Sequence, residues 1–221
     1  MENKMKKFEL VAEMTKEFFG KKLFRIRALI SFGDVEKGDL GGWIEKEESL
    51  DQSGNAWVSG NARVYGNARV SGDARVSGDA RVSGNAWVSG DARVSGDAWV
   101  YGDARVSGNA WVSGNAWASG DAWVSGNARV YGDARVSGDA RVSGDAHFIT
   151  IGPIGSENGM LTAFRQRDNS IVVCRGCFSG TIDEFESAVN ERHSDSVDGQ
   201  IYRALIPVIK MRLADVETEA K

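Results

Sequence analysis

Few side chains in this 221-residue chain have the type and spacing that chemistry demands. Only two histidines, His147 and His193, are present to act as general bases. The two cysteines form a single Cys174-Arg175-Gly176-Cys177 pair. A closed structural zinc site needs four ligands, and only His193 or acidic residues could complete such a set. A redox dithiol normally opens a helix, whereas this pair ends a predicted strand. Free thiols and no metal are therefore expected. Gly152-Pro153-Ile154-Gly155-Ser156 could turn backbone amides onto an anion. Arg165 and Arg167, two apart in a predicted strand, would share one face and offer charge to a phosphate. With Arg175 close in sequence, Gly155, Ser156, Arg165, Arg167 and Arg175 make the candidate ligand site. No catalytic residue and no cofactor is assigned.

The stretch that must position these groups is a repeat. From Gly54 to Ile149 the phrase Gly-Asn/Asp-Ala-Arg/Trp-Val-Ser/Tyr recurs sixteen times without insertion or deletion. A hexapeptide period predicts a parallel β-helix, one short strand and one corner per unit. Strand alternation sends Ala and Val to one face and Arg or Trp to the other. A solenoid core is narrow, so Ala and Val face inward. Gly followed by Asn or Asp suits the corner, because both tolerate positive φ. The variable positions show no longer superperiod, so coil size is not set by the pattern. Nine Arg balance nine Asp within the repeat. That neutrality, with a net charge of −4, argues against a DNA-binding or DNA-mimicking rod. Trp99, Trp111, Trp117 and Trp123 crowd the outward slots and mark a surface for self-association or a ligand.

A solenoid must protect its open ends. Residues 1–53 are expected to form an N-terminal β-hairpin cap, with strands near Phe8–Val11 and Leu23–Ile30 around Gly20. Glu13–Lys16 is either a short helix or more strand, and Gly33–Glu45 is turn material. Residues 150–221 form a C-terminal α+β domain. Its hairpin turns at Asp168-Asn169, and Thr181-Ile182-Asp183-Glu184 is a capping box opening a helix to about Arg192. A second helix starts near Gly199 with Ile201, Leu205 and Val208 as its stripe, and Pro207 should kink it. The domains are therefore 1–53, 54–149 and 150–221. The opening residues lack an apolar core and no run approaches a membrane span, so a cytoplasmic protein without membrane contact is expected.

Read from valine, the unit Val-Ser-Gly-Asn-Ala-Arg resembles the hexapeptide repeat of left-handed β-helix proteins. That resemblance implies the left hand and three units per triangular coil, hence about five coils, roughly 25 Å long. Trp99 and Trp117 would then stack, with Trp111 and Trp123 on the other two faces. The lead-in Leu23–Leu29, Phe32–Val35 and Gly38–Glu45, with Ile149–Ser156 and Cys177–Thr181, resembles hexapeptide-repeat proteins of phages, prophages and gut bacteria. Related β-helices are often acyltransferases, which use a histidine base and a loop leaving the helix, or γ-type carbonic anhydrases, which hold zinc with three histidines. The uninterrupted repeat and the two histidines argue against both. The expectation is a non-catalytic, homo-oligomeric binding or scaffold protein, assembling through the tryptophan surface or the C-terminal domain. In a phage setting it would sequester a small phosphorylated ligand such as a host immune nucleotide signal. The alternatives are an acyltransferase-like enzyme and a purely structural self-assembling protein.

Overall fold

A computed structural model describes residues 5–214; the first four residues of the cap and residues 215–221 of the C-terminal domain lie outside the described residues. Each Arg/Trp-Val pair of the repeat is a two-residue strand, from β4 (Trp57–Val58) to β18 (Arg141–Val142) at six-residue intervals. Between strands the chain makes a Ser-Gly-Asn/Asp-Ala turn, closed by the Ala62 N–H donating to Ser59 O at 3.3 Å and its counterparts along the rod. Glycine occupies the first central position with φ near 65°, as at Gly90, which is the geometry of a type II′ turn. Space demands glycine too: a Cβ on Gly90 would sit 3.0 Å from the Gly108 amide nitrogen one coil on. The corner Asn and Asp do not share the positive φ. Several of them instead link coils, as in Asn67 Nδ2 to Asn85 Oδ1 at 3.2 Å and Asn85 Nδ2 to Asp103 Oδ1 at 3.0 Å.

Parallel pairing joins residues eighteen apart, Trp57 to Arg75 and Arg93 to Trp111, so three units close one coil. Three strand stacks result. Two hold five strands each, β4-β7-β10-β13-β16 and β6-β9-β12-β15-β18. The third, β5-β8-β11-β14-β17, gains a sixth parallel strand from β3 (Leu40–Ile44). This stretch, expected as turn material, is a rung of the solenoid, because Gly41 and Gly42 let its backbone lie within contact of Trp57 and Val58. Leu50 bridges Val70 on a second stack, giving about six turns rather than five. Trp43 pairs with Arg63 and Leu50 with Val70, twenty residues apart, so the first coil is two residues longer than the rest. Every Val from Val58 to Val142 and every Ala from Ala56 to Ala140 is buried. Each valine contributes about 1.5–3 kcal/mol of apolar burial.

Both ends are plugged. At the start, the hairpin β1 (Phe8–Phe18) and β2 (Lys21–Ala28) pairs antiparallel with β3, and Glu13–Lys16 belongs to its first strand. Phe8, Ile26, Ala28 and Val35 continue the solenoid core. Lys7 is 2% exposed. Its ammonium donates to the carbonyls of Ser53, Gly54 and Ala56 at 3.4, 3.3 and 2.9 Å, satisfying acceptors that no earlier coil can reach. Burial holds its pKa down to about 8 from 10.5, against the pull of Asp51.

The far end is covered by the antiparallel sheet β19 (Phe148–Ile154), β20 (Gly159–Arg165), β21 (Ile171–Arg175) and β22 (Phe178–Thr181). Strand alternation divides its two faces. Phe148, Phe164, Val172 and Cys174 close the solenoid core. Leu161, Ala163 and Val173 face α1 (Ile182–His193) and α2 (Val197–Arg212). The C-terminal domain is thus itself the second cap.

Two expectations about α2 are corrected. The helix runs through Pro207, whose lost donor is outweighed by the packing of Ile206 and Ile209 on either side. Its inward stripe is Tyr202, Ile206, Ile209 and Leu213, one step round from the Ile201, Leu205 and Val208 chosen from the sequence. Of those three, Leu205 is half-buried against this core, while Ile201 and Val208 are exposed. Among the described residues no helix is long and apolar enough to cross a membrane.

Candidate functional site

The groups that occur once, rather than in every coil, meet at the C-terminal end. The turn Arg175-Gly176-Cys177 joins β21 to β22, with Gly176 at φ 59°. Thr181 then caps α1: its hydroxyl accepts from the Glu184 amide at 3.2 Å while Glu184 Oε2 accepts from the Thr181 amide at 2.7 Å. These bonds to the ionised carboxylate hold Glu184 below its usual range. The cap sets the angle at which α1 leaves the sheet, and a cleft of about 200 Å³ opens between the turn, α1 and α2.

Phe178, Phe185 and Tyr202 form the aromatic side of the cleft, with ring centroids 5.4 Å apart for the first pair and 5.7 Å for the second. His193 lies 5.3 Å from the Tyr202 ring. Arg175 and Arg192 bring positive charge, and Ser156, Glu157 and Cys177 complete the rim. Arg175 Nη2 donates to Ile154 O at 2.7 Å, while its Nε is buried without a partner. Gly155, at φ 69°, brings the backbone so close that a side chain there would strike the Tyr202 hydroxyl.

The five residues proposed from the sequence are therefore divided. Gly155, Ser156 and Arg175 gather at the cleft. Arg165 and Arg167 do not, and they share no face. Strand β20 ends at Arg165, and Arg167 lies exposed in the turn beyond it, its amide donating to Asp139 O at 3.1 Å. Arg165 follows Leu161 and Ala163 to the helix side of the sheet and is 8% exposed. Its Nε donates to Leu213 O at 2.7 Å, and its Nη2 donates to the same carbonyl. It anchors the end of α2 instead of meeting solvent. Arg192, His193 and Tyr202 were missed as a group, although the capping box and the apolar face of α1 placed Arg192 and His193 at the helix end nearest α2.

The other candidates have local roles. His147 Nδ1 lies 2.9 Å from the Ser143 hydroxyl, and burial together with Arg165 holds it below the ordinary imidazole range. Cys174 is buried beneath the solenoid and Cys177 is exposed. Among the described residues no three His, Cys, Asp or Glu side chains come together to hold a metal ion.

The tryptophans fall on three faces as the eighteen-residue coil requires. Trp99 and Trp117 stack with centroids 5.5 Å apart, and Arg81 and Arg135 cover their outer sides at 4.5 and 4.9 Å. Arg63 and Arg81 over Phe18 carry this column back to the N-terminal cap. Arg135 also donates to Gly176 O at 3.3 Å, joining it to the C-terminal domain. Trp111 and Trp123 stand on the other two stacks, their indole N–H groups held by Ser95 and Ser107 at 3.1 and 3.2 Å. A larger hollow, about 760 Å³, follows Trp57, Arg75, Arg93 and Trp111 beneath the Asp34 loop. Asp34, Val35, Asp39 and Leu40 of the lead-in line one side, and the rest of its lining is the Arg, Trp and Ser that recur along the rod.

With this geometry in hand, the repeat can be compared with known families. The family model described as YdcK Beta solenoid repeat matches residues 56–72, 62–77, 74–90, 86–102, 100–114, 104–120, 122–137 and 134–147. The repeat is similar to the YdcK beta solenoid. No curated protein matches the chain. The YdcK matches begin and end within the coils, so they bear on the solenoid and carry no ligand to the cleft at its end.

Proposed function

We propose that the protein is a non-catalytic binding protein, a rigid solenoid mount whose C-terminal cleft captures a small anionic ligand with a flat or apolar body. The observation that carries this reading is the meeting of an aromatic wall, Phe178, Phe185 and Tyr202, with Arg175, Arg192 and His193 in one cleft. Aromatic faces suit a planar ring, and guanidinium groups suit phosphate or carboxylate oxygens. At about 200 Å³ the cleft is smaller than a drug-sized site. It would take one ring or short chain and leave the anion at the Arg192 rim.

The solenoid supports this division of labour. Its interior is filled by Ala and Val, and its outward groups recur from coil to coil. The resemblance of the lead-in to phage-encoded proteins makes a phosphorylated nucleotide signal the first ligand class to try, with sequestration as the use. The test is titration calorimetry with mononucleotides and cyclic dinucleotides, with inorganic phosphate as the control. A nucleotide should bind unchanged and more tightly than phosphate. Arg192→Ala should weaken it about tenfold, the ~1.5 kcal/mol of one charge-assisted bond. Indifference of binding to Arg192→Ala, or no binding by any member of the series, refutes the cleft. Acyl transfer from a thioester donor would replace the binding reading with an enzymatic one.

A further inference from the structure

Helix α2 is apolar on two faces, and the sheet covers only one. Tyr202, Ile206 and Ile209 face inward and are buried. On the outer side stand Val197, Ile201, Ala204, Val208 and Met211, all exposed, with Val197 at 72% and Met211 at 71%. Their spacing is four, three, four and three residues, the seam that one helix presents to another in a coiled coil. A surface helix normally turns polar groups outward. Helix α1 nearby obeys that rule, with Asp183, Ser187, Asn190 and Glu191 exposed. Residues 215–221 do not offer a matching apolar strip, since only Val216 and Ala220 among them are apolar.

We propose that the outer face of α2 is the seam of a homodimer in which two copies of the helix pack antiparallel about a two-fold axis near Ala204. The stripe is self-complementary in that sense. Val197 and Met211 lie equally far from Ala204, so each end meets the opposite end of the second copy. Ala204, the smallest residue of the stripe, falls where the helices must approach most closely. Asp198 and Arg212 each follow an end residue of the stripe by one position and so lie on one flank of the helix, where an antiparallel pair brings acid towards base at both ends. The seam from Val197 to Met211 is about 21 Å long, and one helix pair gives an interface at the small end of the range. The dimer is therefore reversible and concentration-dependent. It stands whether or not the cleft holds a ligand, since the stripe and the cleft use different faces of α2.

Sedimentation equilibrium from micromolar to millimolar protein tests the proposal. The full chain should move from one chain mass to two. Ile201→Glu with Val208→Glu should remain at one chain mass, with unchanged helical circular dichroism. A parent that stays monomeric throughout, or a variant that dimerises as the parent does, overturns the proposal. Cross-linking in a Cys177→Ser background reads the orientation without charge substitutions. Ala204→Cys should link to itself, and Val197→Cys should link to Met211→Cys in a mixture but not to itself. Self-linking of Val197→Cys, or no link at Ala204→Cys, also overturns it.

Discussion

Arg165→Ala should unfasten the helical layer from the protein while leaving the solenoid folded. The guanidinium reaches from the end of β20 to the carbonyl of Leu213, the residue that ends α2, and Nη1 adds a 3.4 Å contact to Asn169 Oδ1. Leu213 is 1% exposed, so little water waits to replace the lost donor. A hydrogen bond from a charged group contributes about 1.5–3 kcal/mol, and a buried acceptor left bare costs about 1–3 kcal/mol. These describe much the same loss, and the cation also sits favourably at a helix C-terminus. A net destabilisation of about 2–4 kcal/mol is expected, or a fall of roughly 5–15 °C in the melting midpoint. Two optical signals separate the layers. All seven tryptophans lie between Trp43 and Trp123, so indole fluorescence reports the solenoid and its first coil. Among the described residues the only α-helices are α1 and α2, so ellipticity at the helical band reports the C-terminal layer. Arg165→Ala should lower the helical midpoint and leave the fluorescence midpoint in place. Arg167→Ala should move neither by more than about 0.5 kcal/mol, because that side chain is exposed in a turn. Equal effects of the two substitutions, or an Arg165→Ala protein that melts like the parent, would refute the assignment.

The solenoid interior and the first coil give two further predictions. Val106→Asp should cost several kcal/mol, since the side chain is fully buried and a carboxylate would enter an apolar column unpaired. Arg105→Lys on the exposed side of the same strand should be silent in the same denaturant titration. Lys7 makes stability depend on pH. Its folded pKa of about 8 lies below the 10.5 of the unfolded chain, so between those values the unfolded state binds more protons. Stability should therefore rise with pH across that window, and the parent should gain more than Lys7→Met between pH 8 and 10.5 in paired urea titrations. An identical pH dependence in the two proteins would show that the ammonium is not held at a desolvation cost.

The sequence by itself determined the unit of this fold. Strand alternation sets Ala and Val opposite Arg and Trp within three residues, and glycine marks the corner through its own backbone freedom. Both are local, so they were legible without knowing what lies one coil away. The α1 cap was legible for the same reason, because Thr181 and Glu184 satisfy each other within one turn. What only the tertiary structure decided concerns partners distant in sequence. Gly33–Glu45 looked like turn material, yet β3 becomes a rung because a coil already stands beside it to accept its backbone. Arg165 and Arg167 looked equivalent, yet where β20 ended sent one under α2 and the other into a turn. Helix α2 carries two apolar stripes, and periodicity alone cannot say which of them meets the sheet. The sheet took the face bearing Tyr202, because its ring completes the packing of Phe185 and His193. That choice, made by long-range packing, left the regular stripe from Val197 to Met211 facing outward.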